Sequence, residues 1–400
     1  MNISLLNAQS PGDSITVQAD TVPPPKGSFD LLPAISYSPE TQLTLGIIGY
    51  YYPTWGMDKP GTTQSNLNFL AVYTTARQLI FETNWEIFSA GNTWRYRGGA
   101  FYNRFPDRNY GLGNDAGLRV QEIEEGDTTT VNYLRFSVQR VTVRPVVVRR
   151  LAPNFYGGLQ AEFETQYDYQ EVPDQLGYPE GSDSVELASI PVMGTRMGIG
   201  INLLYDSRDN ILNPLNGSYL EFSNHFFTDL LGSDFTYSSY RIDIRKFFNP
   251  IKNHTLALRA VGNWRFSPDD EQIPLRGLSR VGGRDFVRGY FFGTYQDNHV
   301  LAAEAEYRLP FWPEDTDAPL SKFWKRLGVV GFVGTAQTYG PEQDLRIDAF
   351  RVAAGGGLRV LFNPQTRVNI RIDYALGLAP NSNGPDSRQT GLYFFLAEAF

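Results

Sequence analysis

Along residues 366–379, TRVNIRIDYALGLA, apolar side chains take every second position. Val368, Ile370, Ile372, Tyr374, Leu376 and Leu378 share one face; Arg367, Asn369, Arg371 and Asp373 share the other. A period of two over this length marks a β-strand with unlike faces. The alternation recurs in 298–310, where Leu301, Ala303, Ala305, Tyr307 and Leu309 oppose Glu304, Glu306 and Arg308. In 237–247, Tyr240, Ile242 and Ile244 oppose Arg241, Asp243 and Arg245. In 254–266, Leu256, Leu258, Ala260, Trp264 and Phe266 oppose Arg259, Asn263 and Arg265. Read along the whole chain, the pattern predicts strands at 30–37, 41–53, 65–75, 77–89, 93–104, 131–150, 153–170, 193–207, 217–230, 234–248, 254–267, 298–311, 326–338, 349–362, 366–379 and 389–400. Helical periodicity is confined to APLSKFWKRLG near 318–328, and a further strand has room in 106–130.

Sixteen is an even number, as a single-chain barrel that crosses a membrane requires. Short linkers around Pro214-Leu215-Asn216-Gly217, Asn249-Pro250 and Asn363-Pro364 alternate with longer polar ones, as turns at one end and loops at the other demand. A soluble two-sheet sandwich also alternates, but its strands run to about 5–6 residues. The segments here are longer, end in aromatic residues, and carry Arg, Asp, Glu and Asn along one face. Such a face suits a water-filled interior, and the apolar face suits lipid. The expected fold is therefore an all-β, 16-stranded antiparallel transmembrane barrel over residues 29–400. Residues 1–28 precede it as a periplasmic extension; TVPPPKG reads as an extended linker, and Leu6-Asn7-Ala8 loosely fits the end of a clipped signal peptide.

Composition agrees. The chain has 23 Tyr, 27 Phe and 38 Gly, no Cys, and six Lys against 29 Arg. A net charge of −8 argues against a nucleic-acid partner, and the lack of Cys excludes disulfides and thiolate metal sites. No run approaches 18 apolar residues, which excludes a membrane-spanning helix but not strands, since a strand crosses with about 9–11 residues.

Candidate chemistry is sparse. The three histidines, His225, His254 and His299, fit no zinc spacing, and no G-x-S-x-G is present. GLGNDA (111–116) matches a dinucleotide fingerprint only superficially, because no helix follows it. Asp269-Asp270 and Asp297-x-His299 flank one long loop and could activate water, yet such residues are common on solvated rims. Ser223 and His225 share a face but lack a third group for a relay. The reading is of a protein that is not an enzyme and needs no cofactor or metal.

The segment 268–297, between strands 11 and 12, holds GGRDFVRGY, with Arg280, Arg284 and Arg288 close to Gly282, Gly283 and Gly289. Val287-Arg288-Gly289-Tyr290, following Gly283-Arg284, resembles the V-R-G-F/Y loop motif of the BamA/TamA-type outer-membrane assembly superfamily, also called the bacterial surface antigen family. YDSRDNILNPLNGSYLEF (205–222) resembles that family's turn, with Asp206, Arg208, Asp209, Pro214 and Gly217 in the usual places. GGGLRVLFNPQTRVNIRIDYALGL resembles its penultimate hairpin, and FPDRNYGLGN (105–114) resembles members without periplasmic repeats. The closing GLYFFLAEAF places Leu392, Phe394, Leu396 and Phe400 on one face, similar to the family's C-terminal insertion signal, although Glu398 falls where that signal is usually apolar. The matches cover roughly residues 195–400.

The resemblance implies that the loop folds inward and that its arginine pairs with acids on the inner wall. Arg288 is the arginine; Glu304, Glu306 and Asp373 are its expected surroundings, the alternative being a charge solvated by water. One departure stands out. The family's F-x-D-x-G aspartate is replaced by Gly334 in FVGTA (332–336), so either the glutamates substitute or the loop is held less firmly. Only about thirty residues precede the first strand, which leaves no room in this sequence for the family's periplasmic POTRA repeats. The implied location is the outer membrane of a Gram-negative bacterium. The implied role is insertion or translocation of outer-membrane proteins, or lipids, through a lateral seam between first and last strands. Outer-membrane lipids, unfolded outer-membrane proteins and accessory periplasmic or lipoprotein subunits are the implied partners. Gly355, Gly356 and Gly357 would let the wall bend near the seam, or simply mark barrel curvature. The alternative is a passive barrel, a plugged pore or a partner-bound scaffold without assembly activity.

Overall fold

The computed structural model describes residues 27–38, 41–114, 134–171, 190–211, 213–252, 254–268, 271–283, 286–310, 326–341, 343–363, 367–379 and 389–396. Eighteen strands follow in chain order: β1 (Ser28–Ser38), β2 (Gln42–Tyr52), β3 (Asn66–Thr74), β4 (Leu79–Phe88), β5 (Trp94–Asn109), β6 (Leu134–Ala152), β7 (Phe155–Glu171), β8 (Gly194–Asp206) and β9 (Gly217–Phe227). They continue as β10 (Tyr237–Phe248), β11 (Thr255–Phe266), β12 (Ser279–Val281), β13 (Tyr295–Asp297), β14 (His299–Pro310), β15 (Leu327–Tyr339), β16 (Arg351–Asn363), β17 (Val368–Gly377) and β18 (Thr390–Leu396). Sixteen of them form one closed antiparallel barrel in which chain neighbours pair, and β12 and β13 form a separate two-stranded ribbon. No described helix is long and apolar enough to cross a membrane.

The strand pattern predicted from alternation matches the barrel strands closely, with two differences. β5 runs on to Asn109, past the predicted end at 104, and the place proposed for an extra strand falls largely on 115–133, outside the described residues. The β12–β13 ribbon inside the β11–β14 connection is too short to carry a period, so alternation could not reveal it. The proposed helix near 318–328 lies almost wholly outside the described residues, and β15 begins at Leu327.

The two faces are inverted relative to a soluble protein, where charge sits outside. On β8, Ile199 and Ile201 are 52% and 45% exposed while Arg196 and Asn202 are buried. On β17, Tyr374 is 51% exposed while Arg371 and Asp373 are sealed. The inward-facing charges pair: between neighbouring strands, Arg95 with Glu86, Arg196 with Glu162 and Glu164, and Arg259 with Asp243; between strands that are not neighbours, Arg95 with Asp206 and Arg97 with Glu221. The strand ends joined by the β5–β6, β7–β8, β11–β14 and β15–β16 connections lie at one rim, the loop end. The strand ends joined by the β6–β7, β10–β11, β14–β15 and β16–β17 connections lie at the other rim, the turn end.

Closure is uneven. Most neighbours register over seven or more residues, as β1 and β2 do from Ser28–Tyr52 to Ser38–Gln42. Between β1 and β18 the register among the described residues is the single pair Tyr37–Phe394.

Candidate functional site

The β11–β14 connection turns back on itself at glycines. Gly282, Gly283 and Gly289 have φ of 102°, 90° and 115°, in the left-handed region that side-chain-bearing residues avoid. A Cβ on Gly282 would sit 2.2 Å from the Phe291 carbonyl oxygen, so only glycine lets the two arms of the loop close, with Gly283 N donating to Tyr290 O at 2.9 Å. Between these glycines Val287 is itself at φ 50°, a conformation a β-branched residue adopts only under strain. Its backbone N donates to Glu304 Oε1 at 2.8 Å, which helps hold that strained turn. Arg284 lies outside the described residues.

The turn aims Arg288 at two carboxylates from different strands. Nη1 donates to Asp373 Oδ2 on β17 and Nη2 to Glu306 Oε2 on β14, both at 2.5 Å. The guanidinium carbon lies 3.6 Å from the centre of the Phe332 ring, a cation–π stack. All three partners are buried, and the Arg288 side chain is 1% exposed. A planar fork that binds two anions and a ring at once is a task for arginine and not for lysine. Arg308 also pairs with Glu306 at 2.7 Å and Arg359 with Asp373 at 2.5 Å, so the carboxylates are shared within a wider network. Glu304 does not contact Arg288; it serves the Val287 amide and lies 3.8 Å from Arg259.

Gly334, where the family pattern has aspartate, forms the floor under the loop. A Cβ there would lie 3.2 Å from Glu304 Cγ and 3.4 Å from Val287 Cα. A side chain there would fit only if Glu304 gave by a few tenths of an ångström, and the second carboxylate at Arg288 comes from Asp373 two strands away. The glycine run on β16 has a related role. Gly357 leaves room for Asp373 Oδ1, 2.1 Å from where a Cβ would be, and Gly355 leaves room for the Phe332 ring at 2.5 Å. At Gly355 and Gly357, then, close packing around Arg288 accounts for the missing side chains.

The loop also grips the last strand. Gly289 N donates to Tyr393 OH on β18 at 3.3 Å, and Phe291 N donates to Gln389 Oε1, one residue before β18, at 2.9 Å. Tyr290 OH donates to Val352 O at 2.7 Å and accepts from Ala379 N at 3.1 Å, with its ring in a space that Gly377 keeps open.

The turn motif is knit at the opposite end. Asp206 accepts from Arg208 Nε at 2.9 Å and from both terminal nitrogens of Arg95 at 3.1 Å, and Arg208 stacks 4.5 Å over the Tyr219 ring. Asp209 accepts from Leu215 N and Asn216 N and pairs with Arg367 of the β16–β17 turn at 2.6 Å. Its carboxyl is held below the usual range: burial opposes this, but the Arg367 guanidinium and the two amides outweigh it. Pro214 is buried in the turn, and Gly217, at φ 112°, would carry a Cβ 2.4 Å from Ser207 O. Asn213 Oδ1 accepts from Arg308 Nη1 at 3.2 Å, so the turn and the loop arginine meet through Arg308 and Glu306.

Of the C-terminal residues, Leu392 is exposed and Phe394 faces the seam pair Tyr37, whereas the Leu396 side chain, Glu398 and Phe400 lie outside the described residues. Asp269 and Asp270 lie outside them too. His299 Nδ1 accepts from Arg265 N at 3.2 Å and its ring sits 5.0 Å from both Phe266 and Tyr339. His225 packs on Phe227, away from any hydrogen bond with Ser223. Among the described residues no three His, Cys, Asp or Glu converge on a point. Arg308, Arg359, Phe332, Tyr393 and Gln389 are site residues that the sequence pattern did not single out; only the even spacing that puts Phe332 on the Gly334 face hinted at one of them.

The model of the Omp85 superfamily domain matches residues 57–400. Among solved structures, BamA from Haemophilus ducreyi lacking POTRA domains 1–3 is similar at TM-score 0.54 and 13% identity, over 93% of this chain and 69% of that one. CdiB from Acinetobacter baumannii is similar at 0.51 and 11%, over 93% and 65%, and CdiB from Escherichia coli at 0.55 and 10%, over 92% and 63%. The chain thus spans under two thirds of either CdiB chain, and at these identities the likeness is one of fold. No curated protein matches the sequence. The family match over most of the chain, the closed sixteen-strand wall and the inverted faces agree: this chain belongs to the Omp85 superfamily and is an outer-membrane β-barrel of a Gram-negative bacterium.

Proposed function

We propose that this barrel passes protein segments into or across the outer membrane through a lateral seam between β1 and β18, gated by the inward-folded loop that carries Arg288. The observation that carries the reading is a shared strand: the loop that Arg288 anchors to the wall also donates from Gly289 to Tyr393 on β18, the strand with the thinnest pairing among the described residues. A loop clamped on Glu306 and Asp373 holds β18 in place; a displaced loop frees it. The exposed ladder groups of a freed edge can pair with an incoming strand, which is β-augmentation. Such work is physical, with no bond made or broken, and accessory periplasmic or lipoprotein subunits would deliver the substrate. The turn motif acts as the far support of the same network, through Asn213 and Arg308.

A second reading, a passive plugged barrel, draws on the same clamp, because two short ion pairs and a cation–π stack suit a permanent plug as well as a gate. Depletion in the native bacterium separates the two. The gate reading expects unfolded or missing outer-membrane proteins, measured by proteomics of the outer-membrane fraction. Unchanged outer-membrane protein levels with altered permeability to small dyes would establish the plug instead.

A further inference from the structure

The lipid-facing side of the wall carries a groove of about 750 Å³ across β6 to β10. Leu159, Ile199 and Phe226, 68%, 52% and 49% exposed, stand along it, and Ala161 and Gly200 put almost no side chain between them. The volume is within the range that holds a small ligand. A trough in this band is continuous with the lipid that covers the rest of the apolar face, so hydrocarbon is its natural filling.

One lining residue does not suit hydrocarbon. Period two puts Asn224 on the same outward side of β9 as Phe222 and Phe226, and it is only 4% exposed. The β8–β9 ladder is interrupted at this point. Asn224 Oδ1 accepts from Ile201 N at 3.0 Å, and the Asn224 carbonyl accepts from Gln160 Nε2 at 2.9 Å. The Ile201 donor fixes which way the amide lies. It leaves Nδ2, with two N–H groups, no acceptor among the described residues, and that nitrogen is not sealed within the wall. An N–H turned towards hydrocarbon without an acceptor is costly, so the occupant of the groove must bring an oxygen.

The depth narrows the choice. Phe226 and Tyr240 meet edge-on at 6.2 Å and Tyr240 meets Phe266 at 6.1 Å, an aromatic belt near the loop ends of β9 to β11. Such belts sit at the level of lipid headgroups. Asn224 is two residues further from the loop end than Phe226, about 7 Å along the strand. Just inside the belt, the acyl chains of a lipid join its polar head through carbonyl groups.

We infer that the groove binds one acyl chain of a membrane lipid, with the carbonyl that links the chain to its head accepting from Asn224 Nδ2. The chain lies over Ala161 and Gly200, and recognition is of the chain and its linkage, not of the head. The site falls between the eighth and ninth of sixteen wall strands, half-way round from the β1–β18 junction, so it does not rest on the lateral seam.

The whole barrel, in an alkyl glycoside detergent that has no carbonyl, is offered diacyl and dialkyl-ether phosphatidylcholine of equal chain length and read by native mass spectrometry. The parent should retain one diacyl lipid and prefer it about tenfold over the diether, as one hydrogen bond in apolar surroundings predicts. Ala161→Trp, which fills the trough from the lipid side and leaves Asn224 in place, should abolish retention. Asn224→Ala removes the donor and should bring ester and ether lipids to equal retention; where it does not fold, the parent's ester–ether comparison and Ala161→Trp decide. A diacyl lipid with a photoreactive group on its chain should label peptides of β7 to β9 in the parent and not in Ala161→Trp. Equal retention of ester and ether lipids by the parent, unchanged retention in Ala161→Trp, labelling spread evenly round the barrel, or a dimer in place of retained lipid overturns the inference.

Discussion

Arg288 shows how one side chain sums several modest effects. Its two carboxylates would be poor neighbours for an apolar residue, the Phe332 ring stacks on its guanidinium, and without the arginine Glu306 and Asp373 lose a shared counter-charge in a buried place. Arg308 and Arg359 remain, so the loss is partial. Arg288→Ala should destabilise the folded barrel by about 3 kcal/mol, the lower end for breaking a buried pair. The measurement is the shift in urea midpoint in detergent, read by tryptophan emission. A midpoint that does not move would mean that the network reorganises around the gap and that the clamp is weak. Neighbouring positions were partly legible in the sequence. Asp373 and Glu306 could be named because alternation places them on the polar face. Arg359 and Tyr393 could not, because their nearness depends on the register of β16 to β18 and on how deep the loop reaches, neither of which a period of two contains. Gly334 signalled a departure, but its reason, the Val287 backbone lying over it, exists only in three dimensions.

At the scale of elements, strands were the most legible feature and connections the least. A long strand repeats its period enough times to be read, while the β12–β13 ribbon has three residues a side. The wall also has an irregularity that no alternation reveals. Between the pairs Ile199–Phe226 and Asn202–Ser223 the β8–β9 ladder is interrupted, and side chains bridge the break. Asn224 Oδ1 accepts from Ile201 N at 3.0 Å, and Gln160 Nε2 donates to Asn224 O at 2.9 Å. Gly200 is needed there, since a Cβ would fall 1.6 Å from that carbonyl. The turns offer a pH test. Asp209 titrates below the usual carboxylate range because of Arg367 and the turn amides, against the opposing effect of burial. A depressed folded pKa gives stability that is present above the unfolded value, about 3.9 for aspartate, and is lost as pH falls through the folded value. Arg367→Ala should therefore lower the unfolding temperature modestly at neutral pH, as a half-exposed pair allows, and the difference from the parent should shrink as the pH drops below the aspartate range. A difference that is constant across pH would assign the effect of Arg367 to packing.

For the whole molecule, an apolar outside and a charged inside make sense only with lipid around the wall, and they explain how a chain with a net charge of −8 and few long apolar runs can live in a membrane. Barrel closure removes every strand edge except where pairing is thin, and among the described residues that place is the junction of β1 and β18. In the proposed function this seam is the working part and the Arg288 loop its catch. Because the chain contains no cysteine, a single disulfide can be added without competing thiols. The most direct measurement replaces Tyr37→Cys and Phe394→Cys, the registered pair across the seam, and compares the oxidised and reduced barrel in cells depleted of the parent protein. The oxidised form should fold and be heat-modifiable but fail to restore outer-membrane protein levels, and reduction should restore them. Full activity with the seam covalently closed would contradict the proposed function.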